Sequence, residues 1–162
     1  MIVREEIPAD ATEIRAIHMA AFPGLAEAAL VDRLRAEGDA VISLVISLDG
    51  VLVGHILFSK MIAPFRALAL APVAVMPPFQ RRGFGHRLVE RGLALASEAG
   101  WEGVFVLGDP QYYRRFGFRR GTALRFSSPY SGPAFMGLSL IGANLPVSEG
   151  ELRHPPAFDW VG

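Results

Sequence analysis

The chain has no cysteine. Disulfides, thiolate metal sites and cysteine nucleophiles are therefore excluded. It has no surplus of either charge: 16 Lys and Arg balance 16 Asp and Glu. Nothing in that balance calls for nucleic acid or an anionic membrane as partner. It has no long apolar run either. The longest, Ala67 to Met76, is too short to cross a bilayer. The opening MIVREEIPAD carries acidic residues where a signal peptide needs apolar ones. A cytoplasmic location is the resulting expectation. No internal repeat or low-complexity linker marks a boundary, so residues 1–162 read as one domain.

What the chain does have is apolar substance and punctuation. Hydrophobic residues make up 51% and charged residues 20%, which suits a folded core. Ile2 to Arg4 reads as a short strand. Asp10 with Glu13 three residues on resembles a capping box, and Ile14 and Ile17 mark the apolar face of a first helix. A second helix is expected over 26–35, with Leu30 and Leu34 facing inward. VISLVISL (41–48) and VLVGHILFS (51–59) read as strands joined by Asp49-Gly50, a two-residue hairpin signal. ALALAPVAV (67–75) reads as a central strand that Pro72 interrupts, so a bulge or an edge is expected there. A helix over 86–99 follows, then a buried strand over 103–109. A short helix or turn over 112–116 leads through Gly117-Phe118 into a further strand. A last strand over 135–141 precedes an irregular tail around Pro155-Pro156. Early helices, a hairpin, then strand–helix–strand predict a mixed α/β (α+β) sheet with helices on both faces.

The segment VMPPFQRRGFG (75–85) stands between a strand and a helix. The first N–H groups of a helix lack internal partners, and the helix dipole adds partial positive charge there. Glycines allow close approach, and Arg81 and Arg82 add full charges. Such a turn suits a phosphate or pyrophosphate. The plainer alternative is a strand-to-helix loop in which glycine serves only the turn. The GxxxxGK[ST] loop is absent, and Gly83-Phe84-Gly85-His86-Arg87-Leu88 lacks the third glycine of GxGxxG.

Gln80-Arg81-Arg82-Gly83-Phe84-Gly85 matches the Q/R-x-x-G-x-G/A signature of the GCN5-related N-acetyltransferases. Pro72 to Pro77 resembles that family's central strand entering the signature. Tyr113 to Phe118 resembles its Y-x-x-x-G-F segment. VGHILFS, VFVLGDPQYYRRFGF and the late PPAF resemble its YhbS-like subgroup of predicted acetyltransferases. The resemblance runs from Ile2 to about Phe158. It implies a mostly antiparallel twisted sheet of about seven strands with a splayed pair, flanked by about four helices. It also implies acetyl-CoA as cosubstrate, without a metal. Carried over residue by residue, it puts Gln80, Arg81, Arg82, Gly83, Phe84, Gly85 and His86 at the CoA phosphates. The N–H groups of Val73 and Val75 would meet the pantetheine and the thioester carbonyl.

The reaction so implied is direct attack of a primary amine on the thioester in a ternary complex. The amine must lose its proton, the carbonyl oxygen must be stabilised, and the leaving thiolate must be protonated. Tyr113 aligns with the family's acid. A phenol titrates near 10 and so keeps its proton at neutral pH. An offset of one residue would give the role to Tyr112, and a packing aromatic is the alternative for either. No carboxylate lies on the central strand, a departure from family members that carry a base there. Glu27, Asp32, His55 or a water chain remain for the base. His55 shares a strand face with apolar residues, where a core histidine is the ordinary finding. Glu27 suits a helix start in any case. His18, His86 and His154 show no metal-ligand spacing. Arg114 and Arg115 read as a solvated basic face that could reach phosphates. Phe126, Phe135 and Phe158 read as core and lid.

The expected acceptor is a small-molecule amine or a protein N-terminus, bordered by the loops 22–27, 62–66 and 127–134. No nucleic-acid or membrane partner is expected, and the state is a monomer or a homodimer. The missing strand carboxylate motivates an alternative function: a catalytically silent acyl-CoA-binding sensor or interaction module.

Overall fold

The computed structural model describes residues 1–160. Its centre is the hairpin of β2 (Ala40–Leu48) and β3 (Val51–Lys60), paired from Leu48↔Val51 outward. Asp49 and Gly50 between them have φ of 51° and 80°. Two positive φ values define the turn whose twist matches that of the flanking strands. β1 (Ile2–Glu5) adds to the free edge of β2, and β4 (Ala67–Val75) pairs antiparallel with β3. β5 (Gly103–Leu107) joins β4 in parallel, and β7 (Phe135–Ser139) closes the far edge. The sheet order is β1-β2-β3-β4-β5-β7. Six strands thus stand where about seven were expected. β6 (Phe126–Ser127) and β8 (Gly150–Glu151) form a separate two-stranded ladder.

Alternation along β3 assigns the helices to faces. Leu57 packs in one cluster with Ile14 and Ile17 of α1 (Ala11–Ala21) and Leu30 and Leu34 of α2 (Ala26–Ala36). Ile56 and Phe58 point the other way, into a cluster with Leu88 and Val89 of α3 (Phe84–Glu98). Each fully buried side chain of this size contributes about 1.5–3 kcal/mol. Gly92 of α3 is a packing device: a methyl there would stand 2.2 Å from Phe58 Cε1.

Pro72 produces the expected irregularity. Ile56 pairs with Val73 but Phe58 with Leu70, so Ala71 and Pro72 together oppose Leu57 alone. On the other side of β4, pairing with β5 covers only Ala67–Ala69 against Gly103–Phe105. Beyond those pairs both strands continue and the ladder does not, so the sheet opens between them.

Some local expectations change. Asp10 is not a side-chain cap for α1. Its carboxylate accepts from Ile7 N–H at 2.8 Å and takes two bonds from the Arg4 guanidinium, at 2.8 and 3.0 Å. A charged bidentate partner outcompetes a backbone amide. The strand expected after Phe118 is only an isolated bridge from Arg119 to Gly137, and the chain turns into α5 (Arg120–Ala123). The tail, expected to be irregular, is a 3-10 helix over Pro156–Trp160. Among the described residues no helix is long and apolar enough to cross a membrane.

Candidate active site

The turn ahead of α3 is built by backbone conformation that few residues tolerate. Arg81 has φ 63°, and Gly83, at the N-cap, has φ 89°. Gly83 O takes the first intrahelical bond, from Arg87 N–H at 3.1 Å. The N–H groups of Phe84, Gly85 and His86 precede that bond and so have no acceptor within the helix. Gln80 anchors the loop by donating from Nε2 to Val75 O at 2.9 Å. A cavity of about 440 Å³ lies over the turn, lined by Gln80, Arg81, Gly83, Phe84, Gly85 and His86, with Val75, Phe79, Tyr112 and Arg115. Arg82 is exposed beside it, over the rings of Phe79 and Phe84 at 5.5 and 5.8 Å. The arrangement offers an anion convergent amides and guanidinium charge.

The open edge of β4 continues from this turn. Met76 N–H bonds Val53 O on β3 at 2.8 Å. Alternation along a strand then turns the N–H groups of Val73 and Val75 toward the opposite edge. That edge has no pairing with β5 past Ala69. A second cavity, of about 400 Å³, occupies the opening, with Ala69, Leu70, Ala71, Pro72 and Val73 on one side and Phe105 and Leu107 on the other.

α4 (Pro110–Arg114) sets the two tyrosines on different cavities. Asp109 caps it, accepting from Gln111 N–H at 3.0 Å, and Pro110 occupies its first turn. Consecutive residues on a helix point about 100° apart. Tyr112 lines the cavity over the turn, and its hydroxyl faces Gly85. Tyr113 lines the cavity between the strands and is 8% exposed. Burial raises the Tyr113 hydroxyl well above the ordinary phenol range, and the neighbouring Tyr112 and Asp109 add to this. Its ring is wedged between Tyr112 and Phe118, with centroids at 5.0 and 5.7 Å, and Gly108 leaves it room.

Glu27, in the first turn of α2, lines the same cavity as Tyr113. Its Oε1 is buried and has no hydrogen-bond partner within the protein. Asp32 does not line it; that carboxylate pairs with Arg15 and Arg35. Nor does His55. It is 0% exposed, with Nδ1 2.8 Å from His18 Nε2 and Nε2 2.7 Å from Ser43 Oγ. Ser43 in turn bonds Glu6, which pairs with Arg35 at 2.9 Å. Burial lowers the titration of both histidines, that of His18 to about 3. Burial alone would raise Glu6; its contacts to His55, Arg35 and Ser43 outweigh this and hold it at about 2.

His154 is a cavity residue that the sequence offered no means of placing. Its Nδ1 is buried without a partner, and burial lowers its titration to about 4. Its ring packs on Tyr130 and Phe158 at 4.6 and 4.8 Å, and all three line the cavity with Phe22 and Leu30. The bridge Ile62↔Arg153 brings the tail there. Of the loops expected to border an acceptor, 22–27 and 127–134 contribute Phe22, Glu27 and Tyr130. The loop 62–66 contributes nothing; Phe65 packs into the core on Phe105 and Phe126. Phe126 and Phe135 are core, at 2% and 3% exposed. Arg115 lines the turn cavity and Arg114 does not. Among the described residues no group of three or more His, Asp or Glu could hold a metal ion.

Residues 11–118 match the model of the Acetyltransferase (GNAT) family. The uncharacterized N-acetyltransferase YhbS of Escherichia coli K12 is 38% identical over 122 residues, which is 73% of each chain. The crystal structure of Escherichia coli YhbS in complex with CoA superposes with a TM-score of 0.91 at 32% identity, over 98% of this chain and 91% of that one. A GNAT acetyltransferase from Brucella melitensis, crystallised with acetyl-CoA, gives 0.83 at 36% identity, over 98% and 97%. The glycine turn, the parted strands and these matches together place the chain in the Acetyltransferase (GNAT) family.

Proposed function

We propose that the chain is an acetyl-CoA-dependent N-acetyltransferase acting on a primary amine by direct attack. One observation carries the reading: the unpaired edge of β4 runs from the cavity over the glycine turn to the cavity that Tyr113 and Glu27 line, where Glu27 Oε1 has no protein partner. The bound forms of two relatives support it. When bound, acetyl-CoA supplies the acetyl group as an activated thioester.

The chain's own groups divide the work. The amides of Gly83 to His86, with Arg81, Arg82 and Arg115, hold the diphosphate. The N–H groups of Val73 and Val75 take the pantetheine and the carbonyl oxygen as it gains charge. The Glu27 carboxylate accepts the proton of the incoming ammonium. The neutral amine then forms its N–C bond as the C–S bond breaks, and the acetylated nitrogen sheds its second proton to solvent. Tyr113 donates to the departing sulfur; its burial keeps the proton on oxygen until then. Tyr112, at the turn, serves the phosphate end. His55 is assigned to the buried network, since both its ring nitrogens are engaged away from the cleft. The described residues act as one domain.

The test is release of CoA thiol from acetyl-CoA on an amine panel, with cofactor affinity measured by calorimetry. Tyr113→Phe should cut kcat by about 10²-fold or more and leave acetyl-CoA binding unchanged. No binding at millimolar acetyl-CoA refutes the assignment. Tight binding with no turnover on any amine favours the silent sensor instead.

A further inference from the structure

Resting on the acetyl-transfer reading, we infer that the acceptor is a primary monoamine with an apolar body, received between Glu27 and His154. The acceptor end of the cleft is walled by Phe22, Leu30, Tyr130 and Phe158. These surfaces gain by covering hydrocarbon and taking apolar surface out of water. The charged equipment of the cleft is small and of one sign. Among the described residues, Glu27 lines it and no Lys or Arg does. Burial raises Tyr113 and Tyr130, and Asp109 and Asp159 respectively lie close enough to add to it. The cleft therefore attracts a cation, and a substrate carboxylate would enter without a counter-charge.

Two residues that line the cleft each carry a buried polar atom left over by the protein's own hydrogen bonding. Glu27 Oε1 and His154 Nδ1 each lack a protein partner. Such atoms are exceptions that need a reason. An ammonium supplies several N–H donors, enough for the carboxylate and for the acceptor nitrogen of a neutral imidazole. His154 stays neutral at physiological pH because burial lowers its titration to about 4, so it does not repel the cation. With a single carboxylate in the lining among the described residues, a second ammonium would find no counter-charge there. His154 is accordingly a positioning residue for the amine, and Glu27 takes its proton.

The experiment compares 2-phenylethylamine and hexylamine with L-phenylalanine, spermidine and a short peptide with a free N-terminus. Binding is read by calorimetry on CoA-saturated protein, and turnover by thiol release. The monoamines should bind and should exceed phenylalanine in kcat/KM on the order of 100-fold, the expected effect of one unpaired charge in a half-buried cleft. His154→Phe, which keeps the bulk and removes the nitrogen, should raise KM for 2-phenylethylamine about tenfold with acetyl-CoA affinity unchanged. Better turnover of phenylalanine, spermidine or the peptide overturns the inference and leaves acetyl transfer standing. Failure of the monoamines to bind at millimolar concentration also overturns it. Monoamine binding without thiol release from any amine upholds the subsite and refutes the transfer reading.

Discussion

Replacing Gly108 by alanine puts a methyl carbon 2.6 Å from Tyr113 Cε2 and 3.2 Å from Cδ2. Ordinary contact between such carbons is about 3.5–4.0 Å, so roughly 1 Å of relief is needed. The ring cannot give it by sinking. Phe118, fully buried, blocks one side, and Tyr112 blocks another. The free direction is the cleft that Tyr113 already lines. The phenol should therefore swing toward the thioester position and away from its working geometry. Overpacking of this kind costs about 1–3 kcal/mol of stability. A misplacement near 1 Å costs about 10²-fold in rate. The assay is kcat by thiol release beside acetyl-CoA affinity by calorimetry, with Tyr113→Phe as reference. Gly108→Ala should lose most of what Tyr113→Phe loses, retain acetyl-CoA affinity within about threefold, and melt several degrees lower. Wild-type kcat in Gly108→Ala, with Tyr113→Phe impaired, would refute the claim that the ring's placement matters. Wild-type kcat in both would remove the acid role.

Gly83→Ala meets no neighbouring atom, so its effect is conformational: an alanine at φ 89° costs about 1–2 kcal/mol, and acetyl-CoA binding should weaken about tenfold on relaxation of the turn. Calorimetry checks this, and unchanged affinity counts against the turn as the phosphate site. Gly92→Ala should destabilise by about 1–3 kcal/mol through the Phe58 clash, read by denaturant unfolding, while acetyl-CoA affinity stays within about twofold. Acid should destabilise the fold, and the signs agree across three groups. His18 and His154, held near 3 and 4, favour the folded state above about 6.5 and lose that contribution as pH falls toward their folded values. Glu6, held near 2 against an ordinary 4.5, contributes at most about 3 kcal/mol above 4.5 and loses it between 4.5 and 2. Melting temperatures should fall steadily from pH 7 to about 3, and Glu6→Gln should flatten the part of the curve below pH 4.5. A midpoint that rises on acidification would contradict these assignments.

The features legible in the sequence are those governed by neighbours along the chain. Asp49-Gly50 makes its turn because two adjacent residues accept positive φ. The strand–turn–helix at 75–85 follows from Pro, Gly and the first turn of α3, and Pro72 disrupts pairing wherever its strand is placed. Most of the order of elements, and the glycine turn ahead of α3, were therefore legible from neighbours along the chain. The cleft's chemistry was not. Period 2 places His55 on one face of β3 but does not say whether that face opens or closes; packing of α1 closes it against His18. The Y-x-x-x-G-F spacing favours Tyr113 over Tyr112, but only the docking of α4 gives one to the turn and the other to the cleft. Asp10 has a capping sequence, yet Arg4 claims it across a strand and a turn. Glu27 and His154 are 127 positions apart and share a cavity because the tail is pinned at Ile62↔Arg153. Sequence determined the backbone's local conformations, since those depend on sterics within a few residues. Tertiary structure decided which polar groups are sealed, paired or left free, since solvation and long-range contact are properties of the packed whole.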